Sequence, residues 1–406
     1  MQFPIPNSTE QLLLPAAPGK LRTFELNLRQ DTRWEQFIAS HPDALIYHHP
    51  TWLHALEKEY GQQCVSLACE DEQGCLRAIL PLFYTKGLSL SLGRNVTGRR
   101  LSSLPRTPVA GPLAVDPESA ATVIRAAMDL VRSRPGIQLE IKTPIQGLDQ
   151  LVEGLVSVPW RSTYIQGLPS TSEGLPWEEY CEAVRLPKQC GPCKECRRLR
   201  FGNAKKQHKV KWAVNKAIKL GLQVREADTE ADLADWYRLY LKTMRHNSVP
   251  PRPYRLFQEL WFNMRGEGGL CLLLAEQQLG GRKRTVAGSI FLRFGQTLFY
   301  AFTGCDPADF PLHPHDIIQL ESMRSACKQG LRWYDFGEVA EDHEGLAQFK
   351  GKWGALPKQL CRYYFPHESK PTPVEAGGTA GLTRKLWRLL PCRVTELLGD
   401  WIYRYM

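Results

Sequence analysis

The sequence predicts an α/β (α+β) fold in which one order of elements occurs twice. Three observations predict it. Amphipathic stretches with helical spacing alternate with short apolar runs of strand character. The strands come in pairs around turns and are followed by a helix, which argues against an all-parallel sheet. The runs LRAILPLFY (Leu76–Tyr84) and VAGSIFLRF (Val286–Phe294) occupy corresponding places in the two halves, a weak repeat set in a consistent order of elements. A length of 406 residues accommodates two ordinary domains.

In the first half, Trp34 to Ile38 and Pro50 to Tyr60 read as helices, the second opening on a proline suited to a first helical position. Val65 to Cys69 and Leu76 to Tyr84 read as paired strands around the turn Asp71 to Gly74. Ala120 to Val131 reads as a helix stopped by Pro135 and Gly136, and Gln138 to Lys142 as a strand. In the second half, Asp228 to Met244 is an amphipathic helix with Leu233, Trp236, Tyr237 and Tyr240 at helical spacing. Arg255 to Met264 is a second helix. Leu270 to Glu276, Val286 to Phe294 and Thr297 to Thr303 are strands, Ile317 to Gln329 is a helix, and Trp333 to Phe336 is a strand. Between the halves, Lys209 to Leu220 is expected to be helical and stopped by Gly221. The expected organisation is a first domain over 21–168, a basic connector over 169–221, a second domain over 222–366, a linker over 367–381 and an amphipathic tail over 382–406.

Composition narrows the function classes. Hydrophobic residues make up 43% of the chain, enough for a sizeable core, and no run of 18 apolar residues is present to span a bilayer. The apolar part of the N-terminus, Leu12 to Ala17, is short and lacks the basic flank of a secretory signal, so a cytoplasmic protein is expected. In that setting the 12 cysteines are expected to be small buried hydrophobes and not a disulfide framework. The net charge of +10 is local: residues 185–219 hold twelve Lys/Arg and one acid, Glu195, and the rest of the chain has 40 basic and 41 acidic residues. A local basic patch implies an anionic partner at one place, whether phosphate, nucleic acid or acidic lipid; the alternative is a solvated helix face. The tail, with Trp387, Leu389, Leu390, Leu397, Leu398, Trp401, Ile402 and Tyr405 among arginines and divided by Pro391, either lies on a membrane surface or packs back on the protein.

Several phrases, taken in order, resemble the FemAB-like branch of the GNAT superfamily and its BioF2-like acetyltransferase domain. They are His49-Pro50-Thr51-Trp52 with Tyr60-Gly61, and Leu80-Pro81-Leu82 with Leu101-Ser102-Ser103-Leu104-Pro105 and Gly111-Pro112-Leu113. Further on come Ala217-Ile218-Lys219-Leu220-Gly221-Leu222, Thr243-Met244-Arg245, and Asp335-Phe336-Gly337 with Phe349-Lys350 and Lys352-Trp353-Gly354. The resemblance covers about residues 30 to 365. It implies two tandem GNAT-like domains with a cleft between them, and an enzyme that moves an acyl or aminoacyl group onto an amine of a cell-envelope precursor (peptidoglycan or exopolysaccharide) or a related small molecule. The implied donor is acyl-CoA or aminoacyl-tRNA. An anionic small-molecule or lipid-linked acceptor is implied, with tRNA as a further partner.

Attack of an amine on an ester or thioester needs a neutral amine and a stabilised oxyanion. The resemblance assigns oxyanion stabilisation to the lysine of the Phe-Lys phrase, here Lys350. Asp335, Glu338, Glu341, Asp342 and His343 form an acidic cluster before it; His343 has the most suitable ordinary pKa for relaying a proton, and an exposed polar loop is the alternative. Lys209 and Lys211 are candidates for holding phosphates, although the family often has an Arg-Asn pair near this point and this chain reads Lys211-Trp212-Ala213, without arginine's bidentate geometry. Trp52, Arg245, Tyr300 and His315 are further candidates for substrate binding, and Asp316 is expected to cap the helix it opens. No glycine-rich diphosphate turn is found in Gly304 to Asp316, which leaves CoA open as the donor. Cys190, Cys193 and Cys196 form two overlapping CxxC spacings that, with His208 or Cys181, have the ligands of a structural zinc; a free or redox-active thiol set is the competing reading, and a loop without function is another. Two other classes stay open: a nucleic-acid-binding protein using the basic cysteine-rich loop, and a catalytically inactive GNAT-like scaffold.

Overall fold

A computed structural model of the chain describes residues 20–86, 99–103, 107, 109–168, 204–341, 343–366 and 385–405. The described chain forms two compact units: residues 20–161 with 359–366 and 400–405, and residues 162–358 with 385–399.

The first unit contains β1 (Arg22–Glu25), α1 (Arg33–Ser40), α2 (Pro50–Tyr60), β2 (Cys64–Glu70), β3 (Leu76–Thr85), β4 (Arg99–Ser102), β5 (Leu113–Ala114), α3 (Pro117–Arg132), β6 (Ile137–Thr143) and α4 (Leu148–Leu151). It also holds the start of β7 (Val156–Gly167) and the end of the last strand, β13 (Leu356–Phe365). Its strands run β1-β2-β3-β4-β6-β13, with β5 paired to β3. Only β4 and β6 are parallel among these pairs. The helix ends follow from local chemistry. Pro50 opens α2, the His49 ring accepts from the Thr51 N–H, and Gly61 closes it at a φ of 61°. Asp116 caps α3 by accepting from the Ser119 N–H at 2.8 Å. The apolar face of α3, with Val123, Ile124, Ala127 and Met128, packs on strand residues Leu80, Leu82, Leu139 and Ile141 to form the core.

The second unit contains the end of β7, α5 (Ala204–Lys219), β8 (Leu222–Glu226), α6 (Glu230–Asn247), α7 (Tyr254–Met264), β9 (Leu270–Leu279), β10 (Arg282–Phe294) and β11 (Thr297–Cys305). A 3₁₀ turn (Pro307–Leu312), α8 (Pro314–Lys328), β12 (Trp333–Val339) and α9 (Glu344–Lys352) complete it. Its strands run β7-β12-β11-β10-β9-β8, and only β11 and β12 are parallel. A capping box starts α6: Thr229 accepts from the Asp232 N–H, and Asp232 accepts from the Thr229 N–H. Arg225 on β8 ties that cap to the sheet, bonding Asp232 at 2.6 Å and Glu276 at 2.7 Å. This bridge holds the Asp232 carboxyl well below the usual carboxylate range.

Each unit is therefore a mixed, mostly antiparallel sheet flanked by helices, as the α/β reading expected. Every helix and strand read from the sequence has a counterpart, within a few residues at its ends. Within the basic connector, 169–203 lie outside the described residues and 204–219 form α5, whose Val210, Ala213, Val214 and Ala217 are buried. The linker 367–381 also lies outside the described residues. The tail is helical over 385–389 and again in α10 (Cys392–Tyr405), with Pro391 between them.

Candidate active site where β11 and β12 part

Parallel strands β11 and β12 pair over only three residues, Thr297 to Phe299 against Trp333 to Asp335. Both continue, to Cys305 and Val339, past that paired stretch. At the point of parting, β12 carries an irregularity: its register with β7 shifts between Asp335 and Glu338. Gly337 occupies that step at a φ of 77°, a left-handed conformation that side chains disfavour. The Asp335 carboxylate braces the step, accepting from the Gly337 N–H at 2.7 Å and from the Thr163 hydroxyl at 2.8 Å.

The irregularity turns two carbonyls toward α9, and Lys350 takes both. Its Nζ donates to Gly337 O at 2.9 Å and to Glu338 O at 3.1 Å. Lys350 is only 3% exposed. Burial pushes its ammonium down to about 8, against the opposing pull of Asp335 and Glu338. Burial also raises the Asp335 carboxyl, opposed by the bonds from Gly337 and Thr163 and by the charge of Lys350. A Cβ placed on Gly337 would stand 4.0 Å from Lys350 Nζ and 3.9 Å from Tyr300 O, so the lysine, the β12 step and the first residue of β11 beyond the paired stretch meet at one point.

A polar array lies along β11 and α8. Ser289 and Thr303 hydroxyls are 3.1 Å apart, and Thr303 Oγ1 is 3.4 Å from His315 Nδ1. The Tyr300 hydroxyl is raised by burial, with Thr303, Ser289 and Gln319 opposing the shift. Tyr334 donates to Gln319 Oε1 and shares a 2.8 Å bond with Ser322. Burial lowers the His315 imidazole to about 4, so it is neutral near pH 7. Among these, Ser289, Thr303, Gln319, Ser322, Tyr334, Thr163 and Gly337 were not picked out from the sequence. The legible signal was the hydroxyl of Ser289 inside an otherwise apolar strand, where a buried polar group requires a partner.

The structure thus brings Lys350, Asp335 and Tyr300 together, and sets His315 in the adjoining polar array. His343 is exposed at the start of α9, seven residues before Lys350, about 10 Å along a helix. Asp342 lies outside the described residues. Lys209 is exposed and Lys211 half-buried on α5, neither in contact with the Lys350 group in any hydrogen bond described above. Exposed Trp212 sits between them and the start of α8, 5.0 Å from the His313 ring, with Lys216 5.0 Å from its indole. Arg245 is half-buried in the last turn of α6, where a cation complements the helix dipole. Trp52 is 1% exposed in the first unit, packed edge-on against Tyr47, which makes it a core residue there. Cys190, Cys193 and Cys196 lie outside the described residues, and His208 is exposed on α5; among the described residues no group of three His, Cys, Asp or Glu is placed to hold a metal.

The start of α8 corrects one expectation. Asp316 is not its cap. His313 holds that position at a φ of 57°, and buried Asp316 stands in the first turn, paired with Lys352 and 3.6 Å from His313. A diphosphate at a helix start needs a row of free N–H donors. Here the His313 N–H is bonded to Phe310 O, Pro314 has none, and the Asp316 N–H is bonded to His313 O. A buried carboxylate occupies the same turn, so the residues present do not fit a diphosphate. A cavity of about 830 Å³ in the first unit, lined by residues including Glu25, Arg29, His54 and Glu57, contains none of the groups above.

Residues 204–350 match the acetyltransferase (GNAT) domain family, a stretch that ends on Lys350. Over 86% of this chain and 98% of the other, the fold is similar to the crystal structure of FemX, at 13% identity and a TM-score of 0.60. It is also similar to a conserved protein of unknown function from Bacteroides thetaiotaomicron, over 85% of this chain and 99% of the other, at 10% identity and a TM-score of 0.52. A comparison with curated proteins finds no match. The second unit is a GNAT acetyltransferase domain, and the chain is an N-acyltransferase by class. More particularly, its overall fold is similar to the one seen in FemX.

Proposed function

We propose that the chain transfers an acyl or aminoacyl group to the amine of a cell-envelope precursor, peptidoglycan or exopolysaccharide, or of a related small molecule, with Lys350 as the group that meets the developing negative charge. One observation carries the reading: an ammonium buried where two parallel strands part, with two of its three N–H donors committed to carbonyls. The neutral amine attacks the carbonyl carbon, the carbonyl oxygen becomes an oxyanion, and the third Lys350 N–H donates to it. Collapse of the adduct expels the donor's oxygen or sulfur, which takes up the proton that the attacking nitrogen sheds and leaves as an alcohol or thiol, and the amide remains. A preoriented donor in a buried site needs no reorganisation as the charge appears. Asp335 acts through Gly337, holding the carbonyls that aim Lys350, and is a positioning residue. Neutral His315 and Tyr300 are assigned to the substrate side of the same array, and His343, being exposed, to at most an outer proton relay.

The unsuitable start of α8 favours an aminoacyl ester of tRNA over acyl-CoA as donor. The exposed face of α5, with Lys209, Lys211, Lys216 and Trp212, is where a nucleic-acid backbone and an unstacked base would be held. A tRNA bound there should dissociate steeply as salt is raised. We place the reaction in the cytoplasm, where such donors are made. The test is single-turnover transfer from aminoacyl-tRNA and from acyl-CoA to an amine-bearing envelope precursor, comparing wild type with Lys350→Met. Loss of roughly 100- to 1,000-fold in rate, the scale of one oxyanion donor, is expected with fold intact. An unchanged rate would remove Lys350 from the chemistry.

A further inference from the structure

The C-terminal helix α10 is packed in the inverse of the usual sense. Its inner face is made of small residues: Thr395 is fully buried, and a Cβ on Gly399 would stand 2.4 Å from Pro251 O. Four of its large apolar residues point out, while Ile402 and Tyr403 are half-buried. Val394, Leu397, Leu398 and Trp401 recur at helical spacing, a single stripe, and all four are exposed, Leu397 at 71% and Trp401 at 41%. The helical turn before it, residues 385–389, adds Leu386 and Leu389, the latter 79% exposed. A monomer in water rarely leaves a contiguous apolar stripe of this kind uncovered.

The charges are sorted to match. Lys385, Arg388 and Arg393 are exposed among the outward leucines. The acids of α10 are half-buried, and Glu396 lines a cavity with Arg238 and Lys242 of α6 and with Arg393 of its own helix. Apolar side chains with a tryptophan, beside three exposed cations and with the helix's two acids half-buried, match the interface of an anionic bilayer, which takes leucine and indole at headgroup depth and attracts each nearby Lys or Arg. A second copy would face three cations with three cations across a two-fold axis.

We propose that residues 385–401 form a docking surface for an anionic phospholipid membrane, which would seat the enzyme beside lipid-linked amines. The inference goes beyond the transfer reaction and does not depend on it. Among the described residues no helix is long and apolar enough to cross a bilayer, so the attachment is peripheral.

The experiment is co-sedimentation of the full chain with phosphatidylglycerol vesicles and with phosphatidylcholine vesicles. Light scattering is run on the same samples without lipid. Wild type is expected to sediment with phosphatidylglycerol and at least tenfold more weakly with phosphatidylcholine. The double variant Leu389→Glu/Leu397→Glu, at exposed positions, should keep its thermal midpoint and stay in the supernatant. The triple variant Lys385→Gln/Arg388→Gln/Arg393→Gln should bind phosphatidylglycerol roughly a hundredfold more weakly, at about fivefold per cation. Wild type remaining in the supernatant overturns the proposal, as does equal binding by the leucine variant. A wild-type dimer that the leucine variant dissociates, without vesicle binding, also overturns it and assigns the stripe to a second copy.

Discussion

At the scale of the residue, the proposed chemistry rests on one buried lysine and the glycine opposite it. Lys350 has a folded pKa of about 8, below its ordinary 10.5. Below pH 8 both folded and unfolded chains carry the proton and the cost of burying the ammonium is present in full. Between about 8 and 10.5 the unfolded chain binds more protons, so stability rises with pH across that window. Comparing urea unfolding of wild type and Lys350→Met at pH 7 and pH 10.5 should show wild type gaining on the variant by up to about 3 kcal/mol. Activity runs the other way: a cation that stabilises an oxyanion is lost on deprotonation, so kcat should fall as pH passes 8. A kcat that keeps rising through pH 9 would instead assign Lys350 to proton removal. Gly337→Ala forces a side chain into a left-handed conformation and displaces both carbonyls; a loss of about 1–2 kcal/mol in stability and a larger loss in kcat than in KM are expected. Lys350 was legible through its Phe-Lys phrase. Its partners were not, because backbone carbonyls freed by a strand irregularity have no residue signature.

At the scale of the element, α6 is seated on β10 and β11 by glycines. A Cβ on Gly304 would meet Tyr240 N at 2.4 Å and Leu239 C at 2.9 Å, both backbone atoms that cannot rotate away. Gly304→Ala should therefore lower stability by about 2 kcal/mol or more, read as a lower urea midpoint at constant slope, with α6 displaced. Its cap sets a smaller effect: Thr229→Ala should cost about 1 kcal/mol. The helices and central strands were legible because apolar spacing and caps are local. Strands β1, β4, β5, β7, β8 and β13 were not. In β7, Val156 to Gly167 alternates weakly and carries Pro159, Trp160 and Arg161, and its partner β12 lies some 170 residues away in the chain. Such strands take their conformation from the neighbour that accepts their hydrogen bonds, which no local window contains.

At the scale of the whole molecule, each unit contains a histidine held neutral near pH 7, buried His48 in the first and half-buried His315 in the second. His48 accepts from the Leu45 N–H at Nδ1 and donates from Nε2 to Gly111 O, both at 3.1 Å, and burial lowers its pKa to about 4. His315 is lowered to about 4 as well. Between pH 6.5 and 4 the unfolded chain binds protons that the folded chain refuses, so stability falls as pH falls through that window, by up to about 3 kcal/mol for each histidine. A chemical-denaturation series from pH 7 to pH 4 checks this: His48→Gln and His315→Gln should each flatten the acid slope, whatever they do to stability at pH 7. The excess positive charge of the chain is carried by one segment, residues 185–219, and salt dependence is the readout of the anionic partner proposed for it.

What the sequence determined by itself was local or carried by phrase: the α/β class, the twofold order of elements, nearly every helix, the family resemblance and the choice of Lys350 as a candidate. Tertiary structure decided which of the candidate residues meet. It placed Asp335 and Tyr300 beside Lys350, set His343 out in solvent, and put Trp52 in the core of the first unit. It also gave Asp316 a lysine partner in place of a cap and turned Val394, Leu397, Leu398 and Trp401 of α10 outward. The physical reason is that spacing along the chain fixes which face of an element a side chain occupies, whereas what that face meets depends on strand pairings made across much of the chain.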